Sequence, residues 1–127
     1  MRLPRHPAPW FTLFSVWFAI LWWLSSGVPD VPEGLKFRAS DKVLHFGYFF
    51  GGAGLLSAAI FCQKTDLHPS TRILIVVIAV TLVGAIDEIH QSYIPGRLGN
   101  DAGDLIADFI GAIVGAMVFQ KFRRYLD

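Results

Sequence analysis

Four apolar runs divide the chain, each close to the length a helix needs to cross a hydrocarbon layer. The first, about 10–28, reads WFTLFSVWFAILWWLSSGV without a charge; at 1.5 Å per residue it extends about 28 Å. The second, about 43–62, is interrupted only by small residues and by His45 near its start. The third, about 72–91, loses its uninterrupted apolar character after Ile86, where Asp87 and Glu88 follow. The fourth, about 103–119, contains Asp108. This pattern predicts an all-α integral membrane four-helix bundle, one domain over residues 1–127. A cleaved signal peptide is the rival reading of the first run, because Arg2 and Arg5 precede it. The run is longer than a usual h-region and lacks an A-x-A-like site, so we read it as a span.

Charge at the ends of the runs sets the orientation. Arg2, Arg5, Lys64, Arg72, Lys121, Arg123 and Arg124 fall on one side, and Lys36, Arg38, Lys42 and Arg97 on the other. The positive-inside rule then places both termini in the cytoplasm and the loops 29–42 and 92–103 outside. The expected location is the bacterial inner membrane, with several passes. Composition agrees: 54% of the 127 residues are hydrophobic and 17% charged, with a mean hydropathy of +0.49, whereas about a quarter of residues in a soluble domain are charged. The single cysteine, Cys62, excludes an intramolecular disulfide and a cysteine-rich metal site. A net charge of +1 without a basic patch excludes a nucleic-acid partner.

The ionisable residues inside the runs cluster in depth. Counted from the inner boundary, His45 and Glu88 both lie about 24 to 25 Å up, Asp104 about 22 Å, and Asp108 about 16 Å. On a helical wheel Asp41, His45, Tyr48 and Gly52 share one stripe of the second span. Gly84, Asp87, Glu88 and Gln91 share one of the third. Asp101, Asp104, Asp108, Gly111 and Gly115 share one of the fourth, so its carboxylates run into a GxxxG packing face. A charge facing lipid costs about 2.5 to 3.5 kcal/mol, so the stripes are expected to converge on a pocket at the outer face. His90 points away from the Glu88 stripe. The plainer alternative is a set of ion pairs that fix helix packing, Asp41 with Lys42 or Arg97 and Glu88 with His45. Pro95-Gly96 reads as a tight turn that leaves Arg97 at headgroup level, snorkelling or holding an anion.

The blocks DKVLHFGYFFGG at Asp41 to Gly52 and EIHQSYIPGRLGNDAGDLIADFIGAIVG at Glu88 to Gly115 resemble the VanZ-like family over about residues 41–116. Asp41, Lys42, His45, Glu88, Gln91, Pro95, Arg97, Asp104, Asp108 and Gly111 fall on its motif positions. Two departures stand out: one extra residue between Arg97 and Asp104, and Asp108 where many members carry Asn. The resemblance implies a cell-envelope membrane protein whose founding member is linked to lowered susceptibility to the glycopeptide teicoplanin.

Three functions remain open from the sequence. One is binding of a lipid-linked or cell-wall-related anionic ligand, with Lys42 and Arg97 as a cationic clamp and Gln91, Asp101 and Asp108 as further ligand-binding candidates. A second is an intramembrane enzyme acting on a phospholipid or lipid-linked substrate. Its candidate catalytic residues are Asp41, His45, Glu88 and Asp104, with a divalent cation, Mg or Ca, held by the carboxylates. The third is an ion-coupled carrier with Asp108 and Glu88 as a relay, which four spans would support only in an oligomer. Membrane lipids are the expected partners in all three. No H-E-x-x-H, G-x-S-x-G or P-loop motif favours the enzyme.

Overall fold

The computed structural model describes residues 3–27 and 40–125, with only the backbone of residue 125. Arg2, Lys36 and Arg38, counted for the orientation, lie outside the described residues. Every regular element among the described residues is helical: α1 (Pro7–Ser25), α2 (Ser40–Cys62), α3 (Pro69–Ser92), α4 (Ala102–Phe122) and a closing 3-10 turn, Arg123–Tyr125. All four helices are long and apolar enough to cross a membrane.

Polar caps start the helices outside the apolar runs. In α1 the ring of His6 accepts a hydrogen bond from the Ala8 amide with Pro7 in the first turn, and His68 does the same for Ser70 in front of Pro69 in α3. Proline at the first helical position has a preset φ and no N–H to leave unpaired. Asp101 caps α4 by accepting from the amides of Gly103 at 2.7 Å and Asp104 at 3.4 Å, and these bonds, led by Gly103, hold its carboxyl below the usual range. Between α3 and α4, Ile94 to Arg97 forms a turn in which Gly96 takes φ 84° and the Arg97 amide returns to the Ile94 carbonyl at 3.1 Å.

The helices run up and down, so α2 and α4 are parallel, and they make the most extensive contact of the bundle. Gly111 faces the Phe46 carbonyl and Gly115 the Phe50 carbonyl so closely that a Cβ at either would collide with it. The GxxxG face therefore packs on α2, and small side chains (Ala53, Ala112, Ala116) fill the seam with Phe49, Val76 and Val80. α1 docks on α2 through Trp17, whose indole lies over Gly52. Two reciprocal bonds fix it, Trp17 Nε1 to the Tyr48 carbonyl at 3.1 Å and the Tyr48 hydroxyl to the Trp17 carbonyl at 2.7 Å. Leu74, Ile78, Leu82 and Ile86 form an exposed stripe along α3, as a lipid-facing surface requires.

At one end of the bundle Cys62 reaches the Pro4 carbonyl, Phe61 packs on Phe119, and Arg123 lies over the Phe61 ring. Pro4 and Arg123, near the two ends of the described chain, are thus at that end. The candidate site residues named from the sequence gather at the other.

Candidate functional site

The parallel register of α2 and α4 builds the first half of the site. Residues about one turn apart on α2 meet residues one turn apart on α4, and the ladder that ends in the glycine contacts begins with charges. Lys42 Nζ lies 3.0 Å from Asp104 Oδ1 and 3.5 Å from Asp101 Oδ2. One turn deeper, His45 Nδ1 lies 2.8 Å from Asp108 Oδ1, and its Nε2 is 3.8 Å from Asp104 Oδ2. Asp108 is fully buried, and it fits because Gly84 of α3 has no side chain: a Cβ there would come within 2.6 Å of Asp108 Oδ2. Glu88, 3% exposed, closes the cluster from α3 by accepting the Asp101 amide at 2.8 Å.

These are ion pairs, but not the ones expected. His45 pairs with Asp108 and Asp104 rather than with Glu88, and Lys42 pairs with Asp101 and Asp104 rather than with Asp41. The reason is geometric. α2 touches α4 much more closely than it touches the antiparallel α3, so shared depth alone did not select the partner.

The second half of the site is a cavity of about 550 Å³ at the same end. α2 contributes Asp41, Leu44, His45, Tyr48 and Phe49 to its wall, α3 contributes Asp87 and Gln91, and Arg97 enters from the turn beyond. The end of α1 supplies Leu21, Trp23, Leu24 and Ser25, and Ser26 and Gly27 beyond it complete the wall. Of the residues named from the sequence, Asp41, His45, Gln91 and Arg97 line this cavity, whereas Lys42, Glu88, Asp101, Asp104 and Asp108 lie in the ion cluster behind it. His45 belongs to both.

Hydrogen bonds order the cavity wall. The Gln91 amide donates to Asp87 Oδ2 at 2.7 Å and accepts from Arg97 Nε at 3.2 Å, while Arg97 Nη1 donates to the Gly27 carbonyl at 2.8 Å. His90, set apart from the Glu88 stripe in the sequence, stacks on Trp22 with centroids 3.8 Å apart, and its Nε2 lies 3.0 Å from Ser26 Oγ. Two links thus tie the end of α1 to α3 and the turn after it.

Sequence reasoning missed Asp87 as a wall residue and missed the whole of α1. Asp87 shares the polar stripe with Glu88, and a second carboxylate on that stripe was the available signal. α1 offered none, since its inner and outer faces are equally apolar.

Asp41, His45 and Asp104 offer three ligand atoms within 4.8 Å of one another. Two of these atoms are carboxylate oxygens, the ligand type of Mg and Ca, with water completing the shell, and the Lys42 ammonium 3.0 Å from Asp104 competes for the same carboxylate. The arrangement suits ion pairing in the cluster and binding of a half-apolar molecule in the cavity.

The family model described as VanZ/LLP1 matches residues 6–123. The chain belongs to the VanZ/LLP1 family. That match includes α1, so the VanZ-like region takes in every helix that lines the cavity. No curated protein and no solved structure matches the chain. The chain is a multi-pass VanZ-like membrane protein by this match and by its four membrane-crossing helices.

Proposed function

We propose that this VanZ-like protein serves the cell envelope by holding the anionic head of a lipid or lipid-linked ligand in the cavity, which opens to the outer face of the bacterial inner membrane. One observation carries the reading. Arg97 lines the cavity, yet among the described residues it forms no ion pair, and its two bonds go to the neutral Gln91 amide and the Gly27 carbonyl. A guanidinium left without a carboxylate beside an apolar wall suits an anion that arrives with a hydrocarbon tail. Leu21, Leu24 and Leu44 supply that wall, and Trp23 and Leu44 are largely exposed at its edge. Orientation belongs to the proposal: a reporter fused after Asp127 should be active only in the cytoplasm, and periplasmic activity would remove the outward-facing site.

The ligand itself is tested by mass spectrometry of lipids retained through purification. Arg97→Ala should lower retention of anionic lipids about tenfold, and Arg97→Lys should fall between, keeping a charge but losing the planar fork. Unchanged retention in both variants would sink the proposal.

A second reading, an intramembrane enzyme acting on such a lipid, is favoured by the 2.8 Å contact between His45 and Asp108. A buried carboxylate that orients an imidazole at a cavity wall is the arrangement of a positioned proton-transfer group. If lipid turnover is measured in proteoliposomes, this reading expects His45→Gln to lose about 100-fold or more in rate. No turnover by the unmodified protein would leave binding alone.

A further inference from the structure

Asp87 lines the cavity but is 2% exposed. Its Oδ2 accepts from Gln91, whereas its buried Oδ1 has no hydrogen-bond partner and the residue no ion pair among the described residues. A buried carboxylate oxygen without a donor is costly, so the site is short of one. The neighbouring side chains cannot supply it: the Tyr48 hydroxyl is engaged by the Trp17 carbonyl, and His45 Nδ1 faces Asp108. Across the same Gln91 amide, Arg97 has the opposite need. Gln91 holds a carboxylate at its nitrogen and a guanidinium at its oxygen, and so keeps two opposite charges on one wall from neutralising each other. An anionic head alone would satisfy only one of them.

We infer that the cavity takes a zwitterionic amphiphile whose ammonium donates to Asp87 and whose phosphate or carboxylate is held by Arg97. The inference rests on the proposed binding of an anionic lipid head and adds the positive group to it. A turn about the Asp87 Cβ–Cγ bond, a soft torsion, presents the carboxylate to the ligand. The hydrocarbon chains lie against Leu21, Leu24 and Leu44.

The test is a titration of the purified full chain, followed by native mass spectrometry, with two short-chain phospholipids. Dihexanoyl phosphatidylethanolamine carries the ammonium, and dihexanoyl phosphatidylglycerol carries the phosphate without it. The ethanolamine lipid should bind about tenfold more tightly, and Asp87→Asn should bring the two lipids to one affinity. Equal affinities in the unmodified protein would overturn the inference and leave the anionic-lipid reading standing. Because that comparison needs no variant, it holds even where Asp87→Asn does not fold. Binding of neither lipid would overturn both. Phosphoethanolamine, the head without its chains, should bind at least about tenfold more weakly; binding as tight as the lipid's would keep the zwitterion site and remove the lipid.

Discussion

The ion cluster and the cavity wall lie side by side at one end of the bundle and treat charge in opposite ways. In the cluster, the Lys42 ammonium sits between Asp101 and Asp104, and His45 meets Asp108. On the wall, Asp87 and Arg97 are held apart by Gln91, and each lacks an ionic partner among the described residues. The cluster joins α2 to α4, the tightest pair in the bundle, whereas the wall joins α3 to the turn after it and to the end of α1. Charge paired within the chain, as at Lys42 and His45, ties two helices together, and charge left unpaired on a cavity wall leaves something for a ligand to do.

Substitutions can break this contrast. The largest effect is expected for Asp108→Ala, which strands His45 in the cluster and should destabilise by about 3 to 5 kcal/mol, read as a fall in melting temperature in detergent. A fall no larger than that of Arg97→Ala would erase the distinction between the two regions. Next comes Gly111→Ala, which drives a Cβ against the Phe46 carbonyl beneath the cluster and should cost about 1 to 3 kcal/mol in the same assay. Asp101→Ala should cost about 1 kcal/mol through loss of the α4 cap. Its pH dependence sharpens the point. The folded-state pKa of Asp101 is depressed, so its contribution is complete above the unfolded value of about 3.9 and is lost as pH falls through the lower folded value. A melting-temperature difference between Asp101→Ala and the parent that persists below that range would contradict the capping role. Arg97→Ala should change stability least, by under about 0.5 kcal/mol, while changing lipid retention most.

Much of the fold was legible because lipid demands long apolar runs, and the runs gave four helices. Their starts were less visible, since periodicity follows apolar residues while the caps are His6, His68 and Asp101. The stripes located the polar end, because ionisable residues must turn inward. They could not divide it. Asp87 and Glu88 are neighbours on one polar arc, yet 100° of rotation sends one to the cavity and the other to the Asp101 amide. Nor could they name partners, because His45 finds Asp108 only through the register of two parallel helices that a third helix separates in sequence. The α1 wall was illegible for a different reason: a cavity surface made of leucine, serine and backbone carries no pattern that distinguishes it from a lipid-facing one.

The glycine seam also has a consequence for assembly. Small-residue stripes of the GxxxG kind are a common means by which spans from separate chains associate, because they let backbones approach. Here Gly111 and Gly115 already lie against the Phe46 and Phe50 carbonyls of their own chain, so that face is closed to a second copy. The pair left open is Gly47 and Gly51 on α2, at the same spacing, both exposed and with nothing packed where a Cβ would stand. A second span can approach closely there, whereas lipid tails cover branched surfaces such as Leu74, Ile78, Leu82 and Ile86 about as well as another protein does.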